Sequence, residues 1–134
     1  MSRCLAERVD HLVLTVADID VTARFYERTL GLTHETFRGP DGQLRHALAF
    51  GQQKINLQDR RTQTPTKAGR PTLGSGDFCL IAAAPLDAVL EHLRSEGVAI
   101  EAGPVPRRGA LGPLRSIYFR DPEGNLVEVA EYEK

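Results

Sequence analysis

Three residues of this 134-residue chain, His11, Asp77 and Glu128, are of the types that could together hold a divalent cation. One imidazole nitrogen and two carboxylates make a mixed donor set that leaves positions open for water or substrate. Each stands in a stretch that alternates like a strand. In Val9-Asp-His-Leu-Val-Leu-Thr-Val16, Leu12, Leu14 and Val16 share one face, and His11, Val13 and Thr15 share the other. Asn56 and Gln58 lie opposite Ile55 and Leu57, Asp77 lies opposite Phe78 and Leu80, and Glu128 lies opposite Val127 and Val129. A carboxylate inside Leu-Val-Glu-Val-Ala costs several kcal/mol to bury unpaired, and a cation would supply its partner. Plainer readings stand beside these: a solvent-facing Glu128, a satisfied core or edge His11, and Asp77 as a turn residue after Gly74-Ser-Gly76. The shared phase of four strands carries the argument, and no single residue does.

Further candidates follow from phase. His46, Leu48 and Phe50 could face the same side, which makes His46 and Phe50 substrate contacts, with an exposed strand histidine as the alternative. Arg107 and Arg108 fall in a Pro/Gly-rich stretch read as a loop, where Arg107 could clamp a carboxylate or phosphate. Cys79 shares the phase of Asp77.

The elements that must position these residues come in one order twice. The spacing predicts a strand at 9–16, a helix with an Asp18 or Asp20 cap that Gly31 stops, and strands at 32–38, 44–50 and 54–59. Gly39-Pro-Asp-Gly42 and Gly51-Gln52 are the turns between them. Residues 60–75 are polar, aperiodic and rich in Pro, Gly and Thr, a connector. The second round has a strand at 77–83, a helix from Pro85 carrying Leu86, Val89, Leu90 and Leu93, and a short strand at 98–101. A loop at 103–113 and strands at 114–120 and 126–131 around Asp121-Pro-Glu-Gly124 complete it. The period is roughly 55–65 residues. Module one spans 8–59, the connector 60–74 and module two 75–132 of one domain covering 1–134. Each module has one helix for four strands, so one sheet face per module is left for another use.

Composition excludes several functions. Seventeen basic and eighteen acidic residues give a net charge of −1, without the basic excess of a nucleic-acid binder. No apolar run approaches the ~18 residues of a membrane span. Met1–Glu7 does not read as a signal peptide, and Cys4 and Cys79 form no disulfide framework and no metal clip. A nucleophile elbow, a phosphate loop and a dinucleotide glycine pattern are also missing from the sequence. These features predict a soluble, cytoplasmic domain with a small-molecule task, no membrane and no nucleic acid.

Val9-Asp-His-Leu-Val-Leu-Thr-Val, Phe25-Tyr-Glu-Arg-Thr-Leu-Gly-Leu and Ile117-Tyr-Phe-Arg-Asp-Pro-Glu-Gly-Asn-Leu-Val-Glu-Val resemble the vicinal oxygen chelate superfamily. That superfamily contains glyoxalase I, bleomycin-resistance proteins and extradiol dioxygenases, and this chain looks closest to small glyoxalase-domain proteins of unassigned substrate. The resemblance covers residues 8–132. It implies an α+β fold of two βαβββ modules forming a cupped eight-stranded mixed sheet around one divalent ion (Mn, Fe, Zn, Ni or Mg). It also implies a metal-dependent lyase or dioxygenase acting on a substrate chelated through vicinal oxygens. His11 and Glu128 match ligand positions, with Glu128 alternatively a base; Asp77 falls where a histidine is usual, and Asn56 where glyoxalase I has a glutamate. Tyr118 matches a tyrosine able to bind a substrate oxygen, but Leu111 stands where extradiol enzymes carry an acid–base histidine. The departures keep two alternatives open, a metal-free ligand-binding protein of the bleomycin-resistance kind and a ferrous ring-cleavage dioxygenase. Paired sheet edges in the family imply a homodimer.

Overall fold

The computed structural model describes residues 3–134, so the start of Met1–Glu7 lies outside the described residues. Module one supplies β1 (His11–Val16), α1 (Ile19–Leu30), β2 (Thr33–Arg38), β3 (Leu44–Phe50) and β4 (Gln53–Asp59). Module two supplies β5 (Asp77–Ile81), α2 (Leu86–Ser95), β6 (Ala102–Gly109), β7 (Gly112–Arg120) and β8 (Leu126–Tyr132). The Asp18 carboxylate accepts from Val21 N at 3.0 Å and starts α1. Gly31, at φ 69°, ends it in the left-handed region that suits glycine. Pro85 begins α2 without a side-chain cap; a carboxylate from β8, that of Glu131, accepts from Leu86 N instead.

The α+β architecture of two βαβββ modules is as expected, but the strands divide into two four-stranded mixed sheets. Their orders are β1-β4-β3-β2 and β5-β8-β7-β6, with β1‖β4 and β5‖β8 parallel and the other pairs antiparallel. The helices lie between the sheets. Phe25 of α1 meets Phe119 of β7 at 6.1 Å, and one apolar cluster joins Leu14, Ile55 and Leu57 of the first sheet to Val127, Val129 and Phe119 of the second. Each sheet therefore turns its helix-bearing face inward and its other face outward, and one chain closes no eight-stranded cup.

Module two departs from expectation between the helix and β7. Residues 98–101 are not a strand, and the supposed loop at 103–113 is mostly β6 and the start of β7. Pro104 and Pro106 suggested a loop, yet β6 is an edge strand, where a missing N–H costs no ladder bond, and a register shift between Ala102 and Val105 absorbs the irregularity. Arg107 accordingly sits on a strand rather than on a closing loop.

The Asp121–Asn125 turn ties the modules together. Asp121 Oδ1 accepts from Glu123 N (2.9 Å) and Asn125 N (3.0 Å). Its Oδ2 accepts from Asn125 Nδ2 (2.9 Å) and from the Tyr26 hydroxyl of α1 (2.8 Å). Asn125 Oδ1 then accepts from Gly76 N at 2.7 Å, where a Cβ would stand 2.8 Å from both Asn125 and Leu14. This hub sets where β5 and β8 begin, and hence where Asp77 and Glu128 emerge.

Candidate functional site

The strand register shows which residues share the outward faces. On the first sheet His11 pairs with Lys54, Val13 with Asn56 and Thr15 with Gln58, while the Leu12–Ile55 and Leu14–Leu57 pairs turn to the core. On the second, Asp77 pairs with Leu126 and Cys79 with Glu128, and Glu128 also pairs with Tyr118 across β7. The phase given to β3 is corrected. His46 pairs with Leu57 and Leu48 with Ile55, so His46 and Phe50 lie on the covered side, and the small Ala47 and Ala49 are the outward residues. The core takes the bulky Leu48, which is fully buried, and the alternation carries His46 with it. There His46 Nδ1 lies 2.9 Å from His34 Nε2, one ring nitrogen donating to the other.

His11 is oriented by its neighbour in sequence: its Nδ1–H donates to Asp10 Oδ2 at 2.8 Å, which leaves Nε2 without a hydrogen-bond partner among the described residues, on a side chain 43% exposed. The same hydrogen bond is the main reason the Asp10 carboxyl is held below the usual carboxylate range. Across the face, Asn56 Oδ1 is buried with no hydrogen-bond partner among the described residues. Lys54 reaches over the small Ala47 to place Nζ 4.3 Å from the Phe37 ring centroid.

The second outward face is built around Glu128. Burial, and behind it the Glu128 carboxylate, push the Cys79 thiol up to about 11, so it is neutral at pH 7. The Tyr118 hydroxyl is raised by burial and by Glu128 against the opposing pull of Arg107. Arg107 Nε donates to that hydroxyl at 3.1 Å, and its guanidinium lies over the Tyr118 ring at 5.4 Å. Ser116 Oγ, also outward by register, is a second buried group without a partner. Lys54 and Ser116 add to the residues singled out by sequence. Phase alone marked Cys79, but nothing in a single strand marks Lys54 or Ser116.

Within one chain His11, Asp77 and Glu128 are not brought together, and no group of three or more His, Cys, Asp and Glu able to hold a metal forms among the described residues. The donor types nevertheless suit a divalent ion, since His11 Nε2 is free, Glu128 faces outward and Asn56 Oδ1 has no donor.

The chain that folds into this back-to-back pair of modules matches a family model over most of its length. The chain belongs to the Glyoxalase/Bleomycin resistance protein/Dioxygenase superfamily, whose model covers residues 8–129. It is similar to virulence protein STM3117 of Salmonella typhimurium, with 48% identity over 128 residues, 96% of this chain and 86% of that one. The crystal structure of that protein superposes with a TM-score of 0.91 over 97% of this chain and 100% of its own. Glyoxalase domain-containing protein RDO1 of Mycosarcoma maydis is 43% identical over 125 residues, 93% of this chain and 68% of that one. A lactoylglutathione lyase from Agrobacterium tumefaciens shares 27% identity and a TM-score of 0.71 over 96% of each chain. No helix of the described residues is long and apolar enough to cross a membrane.

Proposed function

We propose that this chain is a metal-dependent enzyme of its superfamily, acting on a small substrate that offers two neighbouring oxygens, with its site assembled between two copies of the chain. The carrying observation is His11, whose Asp10 hydrogen bond fixes the tautomer that presents Nε2 outward. The first sheet of one copy, set against the second sheet of another, would bring His11 and Asn56 toward Asp77 and Glu128. Exposed apolar residues on both outward faces, Val13 and Ile81, support such a contact.

A divalent cation bound there would polarise the substrate's oxygens as a Lewis acid. His11, Asp77 and Glu128 would hold it, and Asn56 would contact the substrate beside it. Glu128 is alternatively the base that takes a substrate proton. Tyr118 accepts the Arg107 N–H, so its own proton is free to turn toward a substrate oxygen, and Arg107 acts as its positioning residue. Gln58 lies beyond Asn56 on the same face as a further substrate contact. Free Cys4 and Cys79 fit a reducing compartment, and the cytoplasm is the proposed location.

The test is metal titration with oligomeric state measured in parallel. The expected result is about one divalent ion per chain on a dimer, lost in His11→Ala and in Glu128→Gln. Val13→Glu should give a monomer that no longer takes up metal. No uptake by the wild type, or full uptake by the monomer, overturns the proposal.

A further inference from the structure

A hollow of about 280 Å³ lies at the end of the first sheet, where the β2–β3 turn and the connector meet, lined by Val13, Asn56 and Gln58 of the outward face and by Ile19, His46 and Leu57 of the covered side. Its apolar walls are Val13, Phe37 and Leu44, large side chains left exposed. The connector contributes Thr62, Thr64 and Thr66, every second residue of that stretch, and β4 contributes the carboxamides of Asn56 and Gln58. At ~30 Å³ per water the space corresponds to about nine water molecules, enough for one substituted ring.

The charged side chains that line this hollow are already paired, and Lys54, outside the lining, rests on the Phe37 ring. Arg45 is paired with Asp41 at 2.8 Å, Asp59 with Arg61 at 2.9 Å, and His46 with His34 at 2.9 Å. A charged ligand would meet no unpaired counter-ion among these lining groups. One group is unmet: Asn56 Oδ1, buried and without a donor. Leaving such an acceptor unpaired is costly, and the amide plane turns about χ2 at little cost, so an incoming O–H or N–H can draw Oδ1 toward the hollow.

We infer that this hollow binds a neutral, ring-sized group, apolar on its faces and carrying a hydrogen-bond donor that Asn56 accepts. It would be the part of the substrate away from the chelating oxygens, since Asn56 is only one pleat along the face from the His11–Lys54 pair. The inference rests on the proposed function for calling the ligand a substrate; the hollow itself belongs to one chain. It makes Asn56 and the connector threonines determinants of specificity.

The test uses three probes of similar size on metal-free protein, followed by nuclear magnetic resonance: phenol (neutral, one donor), anisole (neutral, no donor) and benzoate (anionic). Phenol should shift the Asn56 side-chain amide and the Thr62, Thr64 and Thr66 backbone amides, and bind about fivefold tighter than anisole, the worth of one neutral hydrogen bond. Benzoate should bind more weakly than either. Asn56→Ala should erase the phenol margin and leave anisole unchanged, and Thr64→Leu, which fills the space, should weaken both. Equal binding of phenol and anisole, preference for benzoate, shifts outside the hollow, or no shifts at all overturns the inference. Metal titration separates the two claims. Metal uptake without the phenol margin sinks the hollow alone, and the phenol margin without metal uptake sinks the metal reading while the hollow stands.

Discussion

Replacing Tyr26 by Phe removes one oxygen from the join between the modules and leaves the ring in place. Tyr26 is fully buried, and its hydroxyl donates at 2.8 Å to Asp121, which is itself 5% exposed. Burial, and then the Asp121 charge, push that hydroxyl far above the usual tyrosine range, so it is a donor at every working pH. A hydrogen bond to a charged acceptor contributes about 1.5–3 kcal/mol. Asp121 keeps three other donors, Glu123 N, Asn125 N and Asn125 Nδ2, so its charge is not stranded and the loss belongs at the low end. The expected destabilisation is about 1.5–2 kcal/mol, because phenylalanine leaves no cavity to add to the lost bond. For a domain of this size that lowers Tm by about 5–7 °C. Urea denaturation reads it as a lower midpoint at unchanged slope. A double-mutant cycle with Asp121→Asn should show coupling of at least about 1 kcal/mol. A loss under about 0.5 kcal/mol, or additive mutations, would refute the claim that this bond clamps α1 to the turn that starts β8.

Three further predictions concern ionisable groups. Asp59 is held down to about 2, chiefly by the Arg61 side chain and then by its backbone N–H. A carboxyl depressed in the folded state stabilises it above the unfolded value of about 3.9, so the stability gap between wild type and Asp59→Asn should be constant at neutral pH and close between pH ~4 and ~2. A gap unchanged down to pH 2 would contradict this. In a Cys4→Ser background, alkylation of Cys79 should have its midpoint near about 11, and Glu128→Gln should lower it. An ordinary thiol profile would show that Cys79 does not sit against Glu128. Asp10→Asn should weaken metal binding about ten- to hundredfold while leaving the fold intact, as loss of a ligand-orienting hydrogen bond does; unchanged affinity would detach Asp10 from the site.

Much of the local structure was legible because it depends on short-range patterns. Alternation in β1, the Asp18 cap, Gly31 and the Asp121–Gly124 turn are set by neighbours along the chain, and each stands where the sequence puts it. The misreadings came where a distant partner decides. Prolines in β6 resembled a loop because only the sheet order shows that β6 is an edge. In β3 both phases carry apolar residues, and pairing with Ile55 and Leu57 settled that Leu48 turns inward and takes His46 with it.

The sequence by itself determined two repeats of strand, helix and three strands, and it put His11, Asn56, Asp77 and Glu128 on the faces away from the helices. Alternation is a property of each strand alone, so these assignments needed no knowledge of the other half. Only the tertiary structure decided that the helices pack between two separate sheets, so that the two faces look outward and one chain divides its donors between them. Burying the apolar faces of two amphipathic helices against both sheets closes one core, and that packing depends on the shape of both modules at once.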